Sequence, residues 1–172
     1  MNKRVISCIV RNQPGVLYRV SGLLSRRGYN IDSITVGTTM DPALSRMTIL
    51  LEADDRTLEQ VIKQLSKLID VKKIRMLRPK DSTLGELVLL KVRVNDGNRT
   101  AVVDMVNGLH ARIVDIGHET VTIQAVGSSA DVDTVLALFE PFGLAELART
   151  GLGALERGDG SLEQYVSEYE EE

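Results

Sequence analysis

The chain has one cysteine, no tryptophan, two phenylalanines and four tyrosines in 172 residues. A single cysteine excludes an intramolecular disulfide framework. Cys8 sits in an apolar alternating run and reads as a small buried hydrophobe, not a reactive thiol. Aromatic residues make up 3% of the chain, too few for the stacking platforms that bind single-stranded nucleic acid. No apolar run approaches the roughly 20 residues of a membrane helix. The N-terminus, MNKRVISCIV, has too short an apolar stretch and no small-residue cleavage site for a signal peptide. An excess of one charge is missing too. Basic residues number 21 and acidic residues 24, a net −3, which argues against broad nucleic-acid binding. The expectation is a soluble cytoplasmic protein with no nucleic-acid or membrane partner.

Catalytic groupings are absent as well. The two histidines, His110 and His118, fall at a helix end and in a hairpin turn, with no spacing that supports a metal site. No Gly-x-Gly-x-x-Gly follows a strand, no phosphate-binding loop occurs, and no nucleophile comes with a positioned base. Paired acids such as Asp54-Asp55 read as helix caps. No catalytic residue and no metal ligand is expected in this chain.

What is present is hydrophobic pattern. From Lys3 to Val10 the chain alternates, Ile6, Cys8 and Val10 facing one way and Val5, Ser7 and Ile9 the other, the mark of a strand. After the turn Asn12-Gln13-Pro14-Gly15, the residues Val16, Leu17, Val20, Leu23 and Leu24 form one helical stripe, which Gly28 ends. Strands follow at 30–38 and 45–53. A helix then carries Leu58, Val61, Ile62, Leu65, Leu68 and Ile69 behind a cap at Asp54 or Asp55, and a strand at 71–78 ends at Pro79. The order is βαββαβ, the ferredoxin-like unit.

The same order returns over 86–150. A strand at 86–94 precedes a helix with Val102, Val103, Val106 and Leu109, which Asn98 is placed to cap. Strands at 112–116 and 120–126 lead to a helix started by Ser128 or Ser129, and then to a short strand at 144–149. The fold class expected is α+β, two ferredoxin-like βαββαβ units in tandem. The divisions are 1–78, a linker at 79–85, 86–150, and a glycine-rich then acidic tail at 151–172. Units of this size have thin cores, so association between chains or domains is expected.

Binding chemistry concentrates at the first turn. A helix N-terminus presents unsatisfied N–H groups and a positive dipole end, which attract a carboxylate. Gly15 permits close approach for lack of a Cβ. The donors would be the N–H groups of Gly15, Val16 and Leu17. The side-chain oxygens of Asn12 and Asn30 suit an ammonium. On pattern alone two readings stay open, an amino-acid site or an ordinary turn and strand start. The basic run Lys72, Lys73, Arg75, Arg78 and Lys80 likewise reads as a solvated strand or as a docking patch for an acidic partner or nucleic acid.

The stretches NQPGVL at 12–17 and LSRRGYNI at 24–31 resemble an ACT domain. With SITVG at 33–37, LSRMTI at 44–49, KLIDV at 67–71, IVD at 113–115 and ELARTG at 146–151, the chain more narrowly resembles the small regulatory subunits of acetolactate synthase (acetohydroxyacid synthase) over about residues 1–158. The resemblance implies an N-terminal ACT domain, a C-terminal ferredoxin-like domain and no catalysis or cofactor in this chain. It implies a large catalytic partner holding thiamine diphosphate, Mg²⁺ and usually FAD. The small subunit would raise the partner's activity and confer feedback inhibition in branched-chain amino acid synthesis, by valine or possibly leucine or isoleucine. ACT domains of the family pair side by side as a homodimer. On that resemblance, Asn12, Gly15, Val16 and Leu17 bind the amino-acid effector from one chain, and Asn30 and Ile31 from the other. The competing expectations are a stand-alone amino-acid-sensing ACT regulator of another enzyme or of transcription, and an RNA-binding protein. The latter needs aromatic residues on its central strands, and neither 5–10 nor 45–53 has any.

Overall fold

In the computed structural model, which describes residues 2–162, the first half of the chain runs β1 (Asn2–Arg11), α1 (Val16–Arg26), β2 (Ile31–Thr38), β3 (Leu44–Ala53), α2 (Asp55–Leu65) and β4 (Val71–Leu77). A 3-10 turn, Pro79–Asp81, leads to β5 (Ser82–Arg93), α3 (Arg99–Gly108), β6 (Arg112–Ile116), β7 (Thr120–Gly127), α4 (Ser129–Phe139), β8 (Leu144–Arg149) and β9 (Gly153–Glu156). Two antiparallel sheets result, ordered β2-β3-β1-β4 and β6-β7-β5-β8, the same permutation twice. The protein is α+β with two ferredoxin-like units, as the pattern predicts. One compact unit holds the chain up to Leu84 and takes it in again from Leu152; the other is Gly85–Gly151.

The period-2 and period-3.6 patterns decide which faces are buried. In the first unit Ile6, Cys8 and Val10 of β1 pack with Val16, Val20 and Leu24 of α1 and with Leu58, Val61 and Leu65 of α2. In the second, Val88, Leu90 and Val92 of β5 pack with Val102 and Val106 of α3 and with Val132, Val135 and Phe139 of α4.

Helix ends follow local chemistry. Gly28 (φ 72) closes α1: its N–H donates to the Ser25 carbonyl and that of Tyr29 to the Leu24 carbonyl, a Schellman motif. In α3 the same bonds run from His110 to Asn107 and from Ala111 to Val106, with His110 at φ 52 in the place of glycine. Asp54 caps α2 by accepting from the Thr57 N–H at 2.7 Å. Ser128 and Asp131 form a reciprocal capping box on α4. Asn98 precedes α3 without a side-chain cap. Its Oδ1 instead accepts from the Asn95 N–H at 2.7 Å, because closing the preceding turn competes for the same oxygen.

The linker and tail depart from expectation. β5 begins at Ser82, inside the stretch read as linker, and Glu86 is buried within it. Arg149 holds that carboxylate with two bonds of 2.7 Å, which satisfies a charge the sequence pattern reads as a strand end. Within the stretch read as tail, β9 pairs with β5. Leu152 and Ala154 bury against Val5 and Leu77 of the first unit. Four strand residues among glycines carry too little period to read, so the burial of Leu152 and Ala154 decides. The rest of that tail, 163–172, lies outside the described residues.

Candidate functional site

Gly15 is the N-cap of α1 at φ 84, ψ −8, the left-handed region that glycine enters without a Cβ penalty. Pro14 therefore lies before the cap instead of at the first helical position, and Gly15 makes the turn. The Val16 N–H reaches the Gln13 carbonyl at a long 3.4 Å, and the N–H groups of Gly15 and Leu17 have no acceptor among the described residues. Of the three N–H groups, those of Gly15 and Leu17 are thus open, and that of Val16 is turned to the Gln13 carbonyl. Val16 turns its side chain into the core and offers only backbone, whereas the Leu17 side chain is 47% exposed. Tyr18 beside it is exposed as well.

Asn12 is anchored by two bonds to the β2–β3 turn, its N–H to the Ala43 carbonyl at 2.7 Å and its Nδ2 to the Pro42 carbonyl at 2.9 Å. Those bonds use the backbone N–H and one of the two Nδ2 hydrogens and leave Oδ1, an acceptor, open.

A residue the sequence reading passes over joins this loop. Arg19 stands one turn into α1, its N–H donating to the Gly15 carbonyl at 3.0 Å. Its Nη1 lies 3.0 Å from where a Cβ on Gly15 would stand. A cation in the first turn opposes the helix dipole. Asp70, 5% exposed, offsets this by accepting from Arg19 Nε at 2.6 Å, and its carbonyl accepts the Arg11 N–H. The one signal in sequence is an arginine four residues after the glycine, hence on the same helix face. With its Nε committed, Arg19 keeps its Nη groups beside the first-turn donors, a combination suited to a carboxylate.

Asn30 and Ile31 do not meet this loop within one chain. Ile31 is level with Leu51 of β3, and Leu51 with Arg4 of β1, while Asn12 follows Arg11 at the other end of β1. Seven strand residues separate those levels, about 23 Å. Asn30 is exposed, its Nδ2 3.4 Å from Asp32 Oδ1, and β2 is the sheet's edge strand.

Other candidates are accounted for. Cys8 is fully buried, donates weakly to the Met47 carbonyl, and has its thiol pushed up to about 12 by burial. Of the basic run, Arg75 on β4 is paired with Glu156 of β9. Both histidines are exposed, and the carbonyl of His118 accepts from Arg99.

Two helices on one face of a β2-β3-β1-β4 sheet, led by a glycine-capped loop, followed by a second unit of the same topology, define an ACT-domain protein with a ferredoxin-like partner domain. Residues 6–73 match the AHAS small subunit-like ACT domain, and residues 85–158 the small subunit of acetolactate synthase. The chain belongs to the acetolactate synthase small-subunit family. It is 44% identical over 159 residues to a probable acetolactate synthase small subunit of Methanothermobacter thermautotrophicus, covering 92% of this chain and 95% of that one. It is 43% identical over 153 residues to the acetolactate synthase small subunit of Mycobacterium bovis, covering 89% and 91%. The crystal structure of the Thermotoga maritima small subunit superposes with a TM-score of 0.87 at 34% identity, covering 93% of this chain and all of that one.

Proposed function

We propose that this chain is the non-catalytic regulatory subunit of an acetolactate synthase. It activates a large catalytic subunit, which carries thiamine diphosphate, Mg²⁺ and FAD, and makes it answer to a branched-chain amino acid, valine first. In this reading the N–H groups of Gly15, Val16 and Leu17 take the effector carboxylate with Arg19 beside them. Asn12 Oδ1 takes the ammonium, and Leu17 lines the aliphatic end.

The observation that carries this reading is the separation of the two half-sites along an open edge strand. A two-fold dimer joined through β2 sets the strand antiparallel to its copy. The Ile31 end of one chain then lies beside the Thr38 end of the other, next to the Met40–Ala43 turn on which Asn12 is anchored. Asn30 and Ile31 of one chain would so complete the Asn12–Leu17 loop of its partner. A site completed only in the dimer binds effector better in the paired state, and that difference in affinity is what lets a ligand shift an assembly.

Reconstitution tests this. Acetolactate formation by the catalytic subunit is expected to rise several-fold when this chain is added and to fall again with valine. No rise on addition overturns the regulatory reading. In dimers that mix wild-type and Asn30→Ala chains, valine inhibition should follow the fraction of intact sites; indifference to Asn30→Ala removes Asn30 from the site.

A further inference from the structure

Both helices of the first unit pack on one face of its sheet, the face of Ile6, Cys8 and Val10. Strand alternation turns Val5, Ser7, Ile9 and Arg11 of β1 to the other face. The described chain covers one end of that face. Leu152 and Ala154 bury against Val5 and Leu77, and Glu156 pairs with Arg75, which is level with Ser7. Ile9 lies beyond this cover, 2% exposed, yet it joins neither apolar cluster of the unit.

Cations gather around it. Ile9 is level with Arg46 of β3 on one side and with Lys73 of β4 on the other, and Arg11 is the next residue of β1 on that face. The Arg46 guanidinium donates to Ser7 Oγ at 3.2 Å, which holds it over the same face. Arg11, Arg46, Lys73 and Arg75 thus fall within about 13 Å along β1, the rise from Ser7 to Arg11. No strand residue turned the same way over that stretch is acidic. Like charges gathered on one sheet face are unfavourable, and Glu156 of β9 is placed at Arg75, one end of the row.

The chain carries the complement. Leu162, 5% exposed and part of the same unit, stands shortly after Glu156. Residues 163–172, EQYVSEYEEE, hold five glutamates and no basic residue, with Tyr165, Val166 and Tyr169 among them. A segment of that length extends to about 33 Å, well over the length of the cationic row. We propose that the segment 163–172 is the occupant of this face, laid over Ile9 as a strap. Its glutamates meet Arg11, Arg46 and Lys73, and its tyrosines and valine lie on the sheet. Exposed ion pairs are individually weak, but a segment tethered this close acts at a high effective concentration. The strap answers the basic residues of β4 from within the chain and closes them to nucleic acid and to an acidic partner. It is independent of the effector site at Gly15.

Paramagnetic broadening in the full chain tests this. Cys8 is fully buried, so a nitroxide thiol reagent on the Ser167→Cys chain labels that position alone. The amide signals of Ile9, Thr48 and Lys73 are expected to lose most of their intensity and to regain it when the nitroxide is reduced. Salt at about 0.5 M, which screens exposed charges beyond a few ångströms, should restore most of the signal. Glu168→Gln, Glu170→Gln, Glu171→Gln and Glu172→Gln together should do the same, and these variants leave the described core untouched. The proposal is overturned if Ile9 and Thr48 keep their intensity, which would leave the face to a partner in trans, or if neutralising the glutamates changes nothing. Spin-labelled chain mixed with isotope-labelled chain that carries no nitroxide decides the source. Broadening at Ile9 in that mixture would seat a second copy's segment on the face and overturn the strap as well.

Discussion

Gly15 shows how much one residue decides here. Its left-handed backbone aims the first-turn donors, and the absence of a Cβ leaves room beside Arg19. Gly15→Asp puts a carboxylate where the proposed effector site takes a carboxylate, and aspartate and asparagine are the side chains that best tolerate this conformation. Loss of one charge-assisted bond, about 1.5–3 kcal/mol, should weaken valine binding tenfold or more by calorimetry. Gly15→Asn, with the same backbone strain and no charge, should weaken it less; equal effects would show that strain, not charge, is responsible. His110 presents the converse case, a side chain where the second unit's helix turn favours glycine. His110→Gly is expected to raise the unfolding free energy of that unit by about 0.5–1 kcal/mol, read as a higher urea midpoint. Cys8 gives a pH signature. Its thiol is raised from 9.0 to about 12 by burial, so below about pH 9 it is neutral folded or unfolded and costs nothing. Between about pH 9 and 12 the unfolded thiol ionises while the folded one does not, and stability is lost as pH rises. Urea midpoints for Cys8→Ala should therefore fall less steeply over that window than those of the wild-type chain.

At the scale of elements, capping and cross-strand pairing do what propensity leaves open. The α4 box rests on Ser128 accepting from the Asp131 N–H while Asp131 takes the Ser128 N–H and hydroxyl. Those hydrogen bonds hold the Asp131 carboxyl below the ordinary carboxylate range. A lowered carboxyl pKa adds stability above its unfolded value and loses it as pH falls through the folded one. Ser128→Ala should cost about 1 kcal/mol at neutral pH and flatten the acid limb of the stability profile, as read by thermal melts from neutral to acid pH. Stripes and strands were legible because they are local: Val16, Val20 and Leu24 repeat on one face, and Ile6, Cys8 and Val10 alternate. Boundaries were less so. Ser82–Leu84 reads as linker because Gly85 and Glu86 interrupt the apolar pattern, and only Arg149, 63 residues on, makes Glu86 a strand-core residue.

For the whole molecule, the return of the chain to the first unit matters most. Leu152 and Ala154 cover Val5 and Leu77 on the sheet face that the helices leave open. Leu152→Asp puts a charge at a position 4% exposed and should destabilise the first unit by about 2–4 kcal/mol. Hydrogen exchange should then accelerate at Val5 and Leu77 while Val88 and Val121 stay protected; uniform acceleration would show that the two units unfold as one.

The sequence by itself determined the two βαββαβ units, the core faces and the carboxylate-suited glycine turn, because period, capping and turn chemistry act over a few residues. Only the tertiary structure decided that Asn12 and Asn30 lie at opposite ends of the sheet. It also set Arg19 over Gly15 through Asp70 and made a supposed tail part of the first unit. Each of those depends on contacts between residues distant in sequence, from Ile31 with Leu51 to Arg19 with Asp70 and Val5 with Leu152, and no local pattern encodes them.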